Sequence, residues 1–409
     1  MTRLLTAALL IAALLVLASC VRVRVQGDRD QWAHDIRANG AAALRIATYN
    51  TSLNDDRANG LIERLESGDA NARKVAAVLQ RVRPDIVLLN EFDYDDAYRA
   101  ADLFQQRYLG VAQPGGGDAL TYTYRYLAPV NTGVPSGFDL DRNGVVGGEG
   151  RSAGNDSWGF GLHPGQYGML VLSRYPIDTN DVRTFQHFLW KNLPDARAPR
   201  DPKTGEPWYS AAAWAKFPLS SKSHWDVPIR TPLGRIHVLA AHPTPPVFDG
   251  PENRNGLRNY DEIRLWADYV SPGDKPWLCD DRGHCGGLAQ NASFVILGDH
   301  NADPVDGDGE PGAILQLVNH ARVNGRVPPT SEGGPERAAH YGFARKGDTT
   351  THTGDFGPEA GTLRLDYVLP SNDLPVRGGG MFWPKAGAPG SELLDASDHH
   401  LVWLDLAPR

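Results

Sequence analysis

The run Phe294-Val295-Ile296-Leu297 contains no polar residue and stops abruptly at Gly298-Asp299-His300-Asn301-Ala302-Asp303-Pro304. A short apolar run bounded by turn residues reads as a strand buried on both faces. Both faces of such a strand must be covered, which favours a layered sheet over a helical bundle. Polar groups just past its C-terminal end then lie at a sheet rim, where ligands bind. Alone, Asp-x-Asn is a turn or helix-cap device. It gains weight because Asn50, Glu91, His242 and the pair Asp398-His399 also stand at the ends of apolar runs.

The rest of the chain supports layers. Leu44 to Tyr49, Ile86 to Leu89, Met169 to Ser173, Arg235 to Ala241, Leu363 to Leu369 and Leu401 to Leu406 read as strands. Ala70 to Val82 reads as an amphipathic helix, with Val75, Val78, Leu79 and Val82 on one face and Pro84 as its stop. Leu257 to Val270 and a shorter piece from Gly312 to His320 also read as helices. Strands outnumber helices and no fixed repeat is visible, so the expectation is a mixed α/β sheet fold. A hydrophobic fraction of 41% in 409 residues can fill two modest cores or one large one. No clean boundary divides the chain. Residues 112–165, 195–230 and 271–292 are rich in Gly, Pro and polar residues and read as long loops inserted at a rim.

A formal charge of -8 is poor footing for non-specific binding to long nucleic acid, which relies on Lys and Arg. At the N-terminus, Arg3 precedes an apolar stretch from Leu4 to Ala18, too short for a membrane span and suited to an export signal. It ends in Leu17-Ala18-Ser19-Cys20, which resembles a bacterial lipobox with Cys20 as the lipidated residue. An ordinary signal peptide cut near Cys20 is the alternative. The expected organisation is therefore 1–19 as signal, 20–43 as linker and 44–409 as the folded domain. Cys279 and Cys285 are expected to form a disulfide closing a short loop, since zinc needs more ligands than His284 alone adds.

Carboxylates, amides and imidazoles at strand ends are the set a phosphoester hydrolase needs. A carboxylate holds a hard cation that polarises a phosphoryl oxygen. Amides donate to non-bridging oxygens, and a carboxylate or imidazole orients or deprotonates water. Oxygen ligands point to Mg²⁺ or Mn²⁺.

Ala47-Thr48-Tyr49-Asn50, Pro84-Asp85-Ile86-Val87-Leu88-Leu89-Asn90-Glu91, the Asp299 phrase, Arg364-Leu365-Asp366-Tyr367-Val368-Leu369 and Ser397-Asp398-His399 come in a telling order. Together they resemble the endonuclease/exonuclease/phosphatase superfamily, the deoxyribonuclease-I-like fold. The resemblance implies a four-layer α-β-β-α sandwich with two packed, mainly antiparallel sheets. It implies Glu91 as the principal metal ligand, with Asn50 as ligand or neighbour and Asp398 on the metal side. Asp299 resembles the residue that positions the attacking water, and Asn301 the phosphate-binding amide. His399 resembles the terminal histidine, held in its tautomer by Asp366, and His242 the second histidine of nuclease and sphingomyelinase relatives. Asn90 and His300 depart from the family's usual residues without removing a reactive group. His400 competes with His399, but adjacent strand residues point opposite ways, and the motif register favours His399.

Each residue also has a bland reading: a solvated strand end for Glu91, a surface histidine for His242, a paired structural carboxylate for Asp366. Asp139-Leu140-Asp141-Arg142-Asn143-Gly144 begins like a calcium loop but has Gly150 where the closing acid belongs, so Asp139, Asp141 and Asn143 are either calcium ligands or a capped turn. Asp303, Asp306 and Asp308 carry the same ambiguity. Phe185, Phe188, Leu189 and Trp190 read as core, or as a substrate wall or lipid-contacting loop. Lys216, Lys222 and Arg230 read as a solvated face or as the lining of a phosphate groove. The expected activity is metal-dependent hydrolysis of a phosphodiester or phosphomonoester, from nucleic acid, a small molecule or a phospholipid, by in-line water attack, with an extracellular nuclease ranked ahead of a sphingomyelinase-like phospholipid hydrolase. The expected setting is a monomer held at the membrane by a lipid anchor, at the cell surface or in the periplasm. The competing class is a surface-anchored binding protein that kept the fold and lost the chemistry.

Overall fold

The computed structural model describes residues 44–342 and 344–408. The export signal, Cys20 and the linker lie outside the described residues. In chain order the strands are β1 (Leu44–Leu53), β2 (Ile86–Phe92), β3 (Tyr124–Tyr126), β4 (Met169–Ser173), β5 (Arg183–Thr184), β6 (His224–Thr231) and β7 (Gly234–Ala241). They continue as β8 (Ser293–Asp299), β9 (Gly354–Asp355), β10 (Thr362–Leu363), β11 (Asp366–Pro370), β12 (Val376–Met381) and β13 (Val402–Leu406).

Two large sheets result, ordered β12-β13-β1-β2-β4-β3 and β11-β8-β7-β6-β5, with β9 and β10 forming a small ribbon. Each large sheet contains one parallel pair, β1 with β2 and β7 with β8, among antiparallel neighbours. The helices that matter for layering are α1 (Gly60–Ser67), α2 (Ala70–Val82) and α3 (Arg254–Val270).

Side-chain alternation builds the layers. On β1 and β2, Ala47, Tyr49, Val87 and Leu89 face Val75, Val78 and Leu79 of α2. Ile46, Ile86 and Leu88 face the other way, into a core shared with Val238, Val295 and Leu297 of the second sheet. Phe294 and Ile296 point outward from that sheet onto Ile263, Trp266 and Val270 of α3. The order is helix, sheet, sheet, helix. Strand β8 is buried on both faces, as its uninterrupted apolar run requires. Truncating Leu297 to Ala would leave a cavity between the sheets and cost about 2–5 kcal/mol.

Local signals set the helix ends. The Asp69 carboxylate accepts from the Ala72 amide at 2.6 Å, a cap of about 1 kcal/mol. Arg83 closes α2 in a left-handed conformation (φ 52°) just before Pro84. The helix expected from Gly312 to His320 is only Leu315–Val318, flanked by turns. The 112–165 insertion holds only short elements, β3 and a helix at Arg151–Asn155.

Candidate active site

Strand polarity gathers the polar strand ends onto one rim. β1 and β2 run in parallel with Asn50 opposite Asn90, so Asn50 and Glu91 reach the same edge. β7 and β8 are also parallel, which brings His242 and Asp299 out together. The antiparallel neighbours contribute their starts instead: Asp366 opens β11 directly opposite Asp299, and His399 precedes β13, which pairs with β1. Glu91 (φ 56°) and Asn301 (φ 50°) are left-handed. Asn tolerates that region, but for Glu91 it costs roughly 1 kcal/mol, strain of the kind that concentrates at functional sites.

Asp299 is the hub. Its Oδ2 accepts from Asn50 Nδ2 at 3.0 Å and lies 3.5 Å from both His242 Nε2 and His399 Nε2. Its Oδ1 accepts from the Asn301 amide at 2.8 Å. Burial is the main force raising its carboxyl, to about 7, eased by His399 and reinforced by Asp366. Asn301 is held in turn, its Nδ2 donating to Pro243 O at 3.1 Å.

His399 Nδ1 lies 2.7 Å from Asp366 Oδ2, which also accepts from Thr353 Oγ1 at 2.7 Å. Burial works against charge on His399, but Asp366 and Asp299 outweigh it and raise the imidazole well above its ordinary value. His242 shifts oppositely: burial, then Lys222 and His399, hold it well below 6.5 and so neutral. Two histidines 3.5 Å from one oxygen thus hold different charges.

Glu91 fits a hard cation. Its Oε1 accepts from Asn50 Nδ2 and its Oε2 from Asn54 Nδ2, both at 3.0 Å. Burial raises its pKa, lowered in part by Asn50 and His399 and raised further by Asp398. Asp398 is exposed, within 3.5 Å of the Ser52 and Ser397 hydroxyls. A carboxylate crowded by another and met by neutral amides is stabilised by a divalent ion. Asp299, Asp366 and His399 also converge within 4.8 Å. Because His399 and Asp366 already share a hydrogen bond, this group suits proton transfer better than ligation. Asn50 turns its nitrogen to both Glu91 and Asp299, while its Oδ1 accepts from the Ser52 amide at 3.3 Å, so it aligns the two carboxylates.

His400 points away from the rim and packs on Trp383 with ring centres 4.0 Å apart, where burial lowers it to about 3. His300 is fully buried against Tyr367. Phe185, Phe188 and Trp190 lie in the core beneath α3, not at a lipid-facing wall. Lys216 stacks on Phe138 and Arg230 pairs with Asp178, whereas Lys222 is buried among the site's carboxylates. Asp303 caps the Val305 and Asp306 amides, and Asp306 caps Lys346 and Gly347. Cys279 and Cys285 are disulfide-bonded.

At the Asp139 loop, Asp139 and Asp141 meet Asp156 within 4.8 Å. Asn143 turns its Nδ2 toward Asp141, while its Oδ1 accepts from the Val145 amide. Sequence reasoning missed Asp156, which lies beyond the span of a calcium loop. It also missed Asn54 and Thr353, for which no motif speaks. Asn90 does more than substitute for a longer amide. Its Oδ1 accepts from the Asp299 amide at 3.2 Å and its Nδ2 donates to Ala241 O at 3.4 Å, joining the two sheets behind the site.

No curated protein sequence matches the chain. Among solved structures, an endonuclease/exonuclease/phosphatase from Beutenbergia cavernae is 17% identical with a TM-score of 0.49, covering 90% of this chain and 72% of that one. An endonuclease/exonuclease/phosphatase family protein from Leptotrichia buccalis is 14% identical (TM-score 0.45, 89% and 99% covered). Sphingomyelinase C from Streptomyces griseocarneus is 16% identical (TM-score 0.41, 89% and 99% covered). The model of the Endonuclease/Exonuclease/phosphatase family matches residues 47–399, from the strand that carries Asn50 to His399 itself, and the chain belongs to that family of metal-dependent phosphoesterase-type hydrolases.

Proposed function

We propose that the protein hydrolyses a phosphodiester by in-line attack of water, with Asp299 as the group that takes the water's proton. The observation that carries this reading is Asp299 Oδ2, which gathers Asn50, His242 and His399 nitrogens within 3.5 Å. A carboxyl near 7 is poised to exchange a proton at neutral pH. Glu91 and Asp398 would hold Mg²⁺ or Mn²⁺, with Asn50 aligning Glu91. When bound, the ion supplies Lewis-acid polarisation of the phosphoryl oxygen. His399, kept cationic by Asp366, donates Nε2–H to a non-bridging oxygen. Neutral His242 donates a second hydrogen bond, and the side chain of Asn301, whose Nδ2 keeps one N–H beyond the bond to Pro243 O, orients the phosphate.

The test is hydrolysis by the purified protein of plasmid DNA, bis-p-nitrophenyl phosphate, p-nitrophenyl phosphate and sphingomyelin, with Mg²⁺, Mn²⁺ or EDTA. EDTA-sensitive cleavage that Glu91→Gln lowers by orders of magnitude, with the fold retained, is expected. An unchanged rate in Glu91→Gln would sink the metal assignment, and no cleavage at all would return weight to the binding-protein reading.

One feature favours an apolar phosphodiester, a phospholipid, over DNA. Phe248, on the segment that leaves His242, is 73% exposed, and Arg151 stacks on both Phe248 and Phe160. With a net charge of -8, an aromatic rim suits a lipid surface better than a polyanion. The same panel separates the two. Export and anchoring through Cys20 are part of the proposal, supported by the apolar N-terminus and by the Cys279–Cys285 bond, which persists in oxidising compartments. Calcium at the Asp139 loop is kept as a proposal on its three converging carboxylates.

A further inference from the structure

Lys222 is 6% exposed, yet its ammonium makes no hydrogen bond or ion pair among the described residues. A lysine is almost never buried unless a counter-charge meets it. Its electrostatic neighbours are the carboxylates Glu262, Glu91 and Asp299 and the like charge of Arg258, and it presses on His242. Glu262 accepts the Ser221 amide on one oxygen and the Thr244 amide on the other, each at 2.6 Å, and no hydrogen bond joins it to Lys222 among the described residues. The same two bonds fix the segments that carry Lys222 and His242. Asn259, one turn earlier on α3, donates to Thr244 O at 2.8 Å and to His300 O at 2.9 Å.

The opposite side is closed by the 112–165 insertion. The Asn131 amide donates to Lys222 O at 2.9 Å, and Asn131 Nδ2 to Ser220 O at 2.8 Å. Gly159 packs so closely that a Cβ there would meet Ser221 O at 2.0 Å. His224 lies opposite Ala241 where β6 meets β7, so the chain just before β6 sets Lys222 beside the end of β7 that carries His242. The backbone of Lys222 is thus held from two sides, while its ammonium has no hydrogen-bonding partner among the described residues. His399, held to Asp366 at 2.7 Å, keeps a second charge beside Asp299. A group seated over Asp299 would meet both cations.

We propose that Lys222 is a phosphate-binding residue of this site, its ammonium donating to a non-bridging or leaving oxygen of the substrate's phosphoryl group alongside His399. This rests on the phosphoesterase reading and adds to it an ammonium anchored by the insertion and α3; burial disfavours its charge, which Glu262, Glu91 and Asp299 support. Lysine is suited to this as a point charge that follows the oxygen as charge shifts toward the leaving group.

The experiment is calorimetric titration of inorganic phosphate into the Mg²⁺-loaded protein. Lys222→Met is expected to weaken phosphate binding at least tenfold, Lys222→Arg to retain most of it, and Lys216→Met to leave it unchanged. Equal phosphate affinity in Lys222→Met and wild type would overturn the proposal, as would a wild-type protein that binds no phosphate. If Lys222→Met does not fold, acylation of wild-type Lys222, followed by peptide mass spectrometry, decides. Slowing by phosphate but not by chloride at equal ionic strength supports the site, and no slowing overturns it. If Lys222 instead only balances Glu262, the double variant with Glu262→Gln would recover phosphate affinity. Wild type that binds phosphate through Lys222 but cleaves no ester would sink the hydrolase reading alone. Cleavage with unaltered phosphate affinity in Lys222→Met would sink the lysine assignment alone.

Discussion

Two carboxylate clusters in this protein each converge within 4.8 Å, and they are built in opposite ways. At the rim, Asp299 and Asp366 are fully buried and meet side chains brought from distant strands: Asn50 on β1, Thr353, and His399 ahead of β13. At the Asp139 loop the carboxylates mostly meet their own backbone. Asp139 accepts from the Asn143 and Gly144 amides, and Asp156 from the Leu140 and Gly147 amides. Local amides can satisfy a carboxylate without changing what it does. Distant imidazoles and amides in a dry rim set its protonation, its direction and its neighbours' charge.

The comparison breaks most readily at Asp299. Asp299→Asn is expected to lower phosphodiester hydrolysis by about 10³-fold or more, while Asp141→Asn stays within about twofold of wild type. Initial rates on bis-p-nitrophenyl phosphate measure both, and comparable losses would erase the distinction. Asp366→Asn should lower activity about 10²-fold and let the His399 imidazole fall toward its ordinary value, because the partner that holds its charge is gone. Imidazole proton shifts followed by NMR across pH check this, and an unmoved His399 would remove Asp366 from its role.

Stability against pH sharpens the contrast. The Asp299 carboxyl is raised in the folded chain to about 7 from 3.8. Its contribution to stability is therefore fully present below the unfolded value and is lost as pH rises through about 7. Glu91 and His399 are raised as well and act in the same sense. Buried neutral histidines such as His242, His300 and His400 pull the other way near pH 6, so the readout is a difference: the Tm of EDTA-treated wild type relative to Asp299→Asn should fall from pH 6 to pH 8.5. A difference that stays constant or rises over this interval would contradict the burial assigned to Asp299. The smallest effect belongs to the loop. Asp139→Asn weakens two backbone caps and should lower Tm by a few degrees, about 1 kcal/mol, with no change in hydrolysis.

Much of the fold was legible because the signals are local. The apolar runs of β4 and β7 and the helix α2 stand in the sequence almost to the residue, while β1, β2, β8 and α3 run two to four residues beyond their apolar or periodic stretch. Two readings fail: β6 (His224–Thr231) lies mostly inside the stretch read as the 195–230 loop, because Pro228 and polar residues interrupt its apolar alternation, and the strand read from Leu363 to Leu369 is split into β10 and β11. The 312–320 piece was overread because Ala313, Ile314 and Leu317 are apolar at helical spacing, yet they pack beneath α3 from a chain that is mostly turn. At the site, Asn50, Glu91, His242, Asp299, Asn301, Asp366, Asp398 and His399 were named from strand ends and family phrases, and the strands bring them to one rim. Asn54, Thr353, Asn90's bridging and the isolation of Lys222 were not legible, since each depends on contacts between segments far apart in the chain.

The apolar strands, the double burial of β8, the polar strand ends and the family resemblance were legible because each is written in a few consecutive residues. Only the tertiary structure decided the charge states of His242 and His399, which both sit 3.5 Å from one Asp299 oxygen. It also left the ammonium of Lys222 without a hydrogen-bonding partner among the described residues. The physical reason is that protonation and orientation follow burial and through-space charge, and those exist only once distant segments have packed.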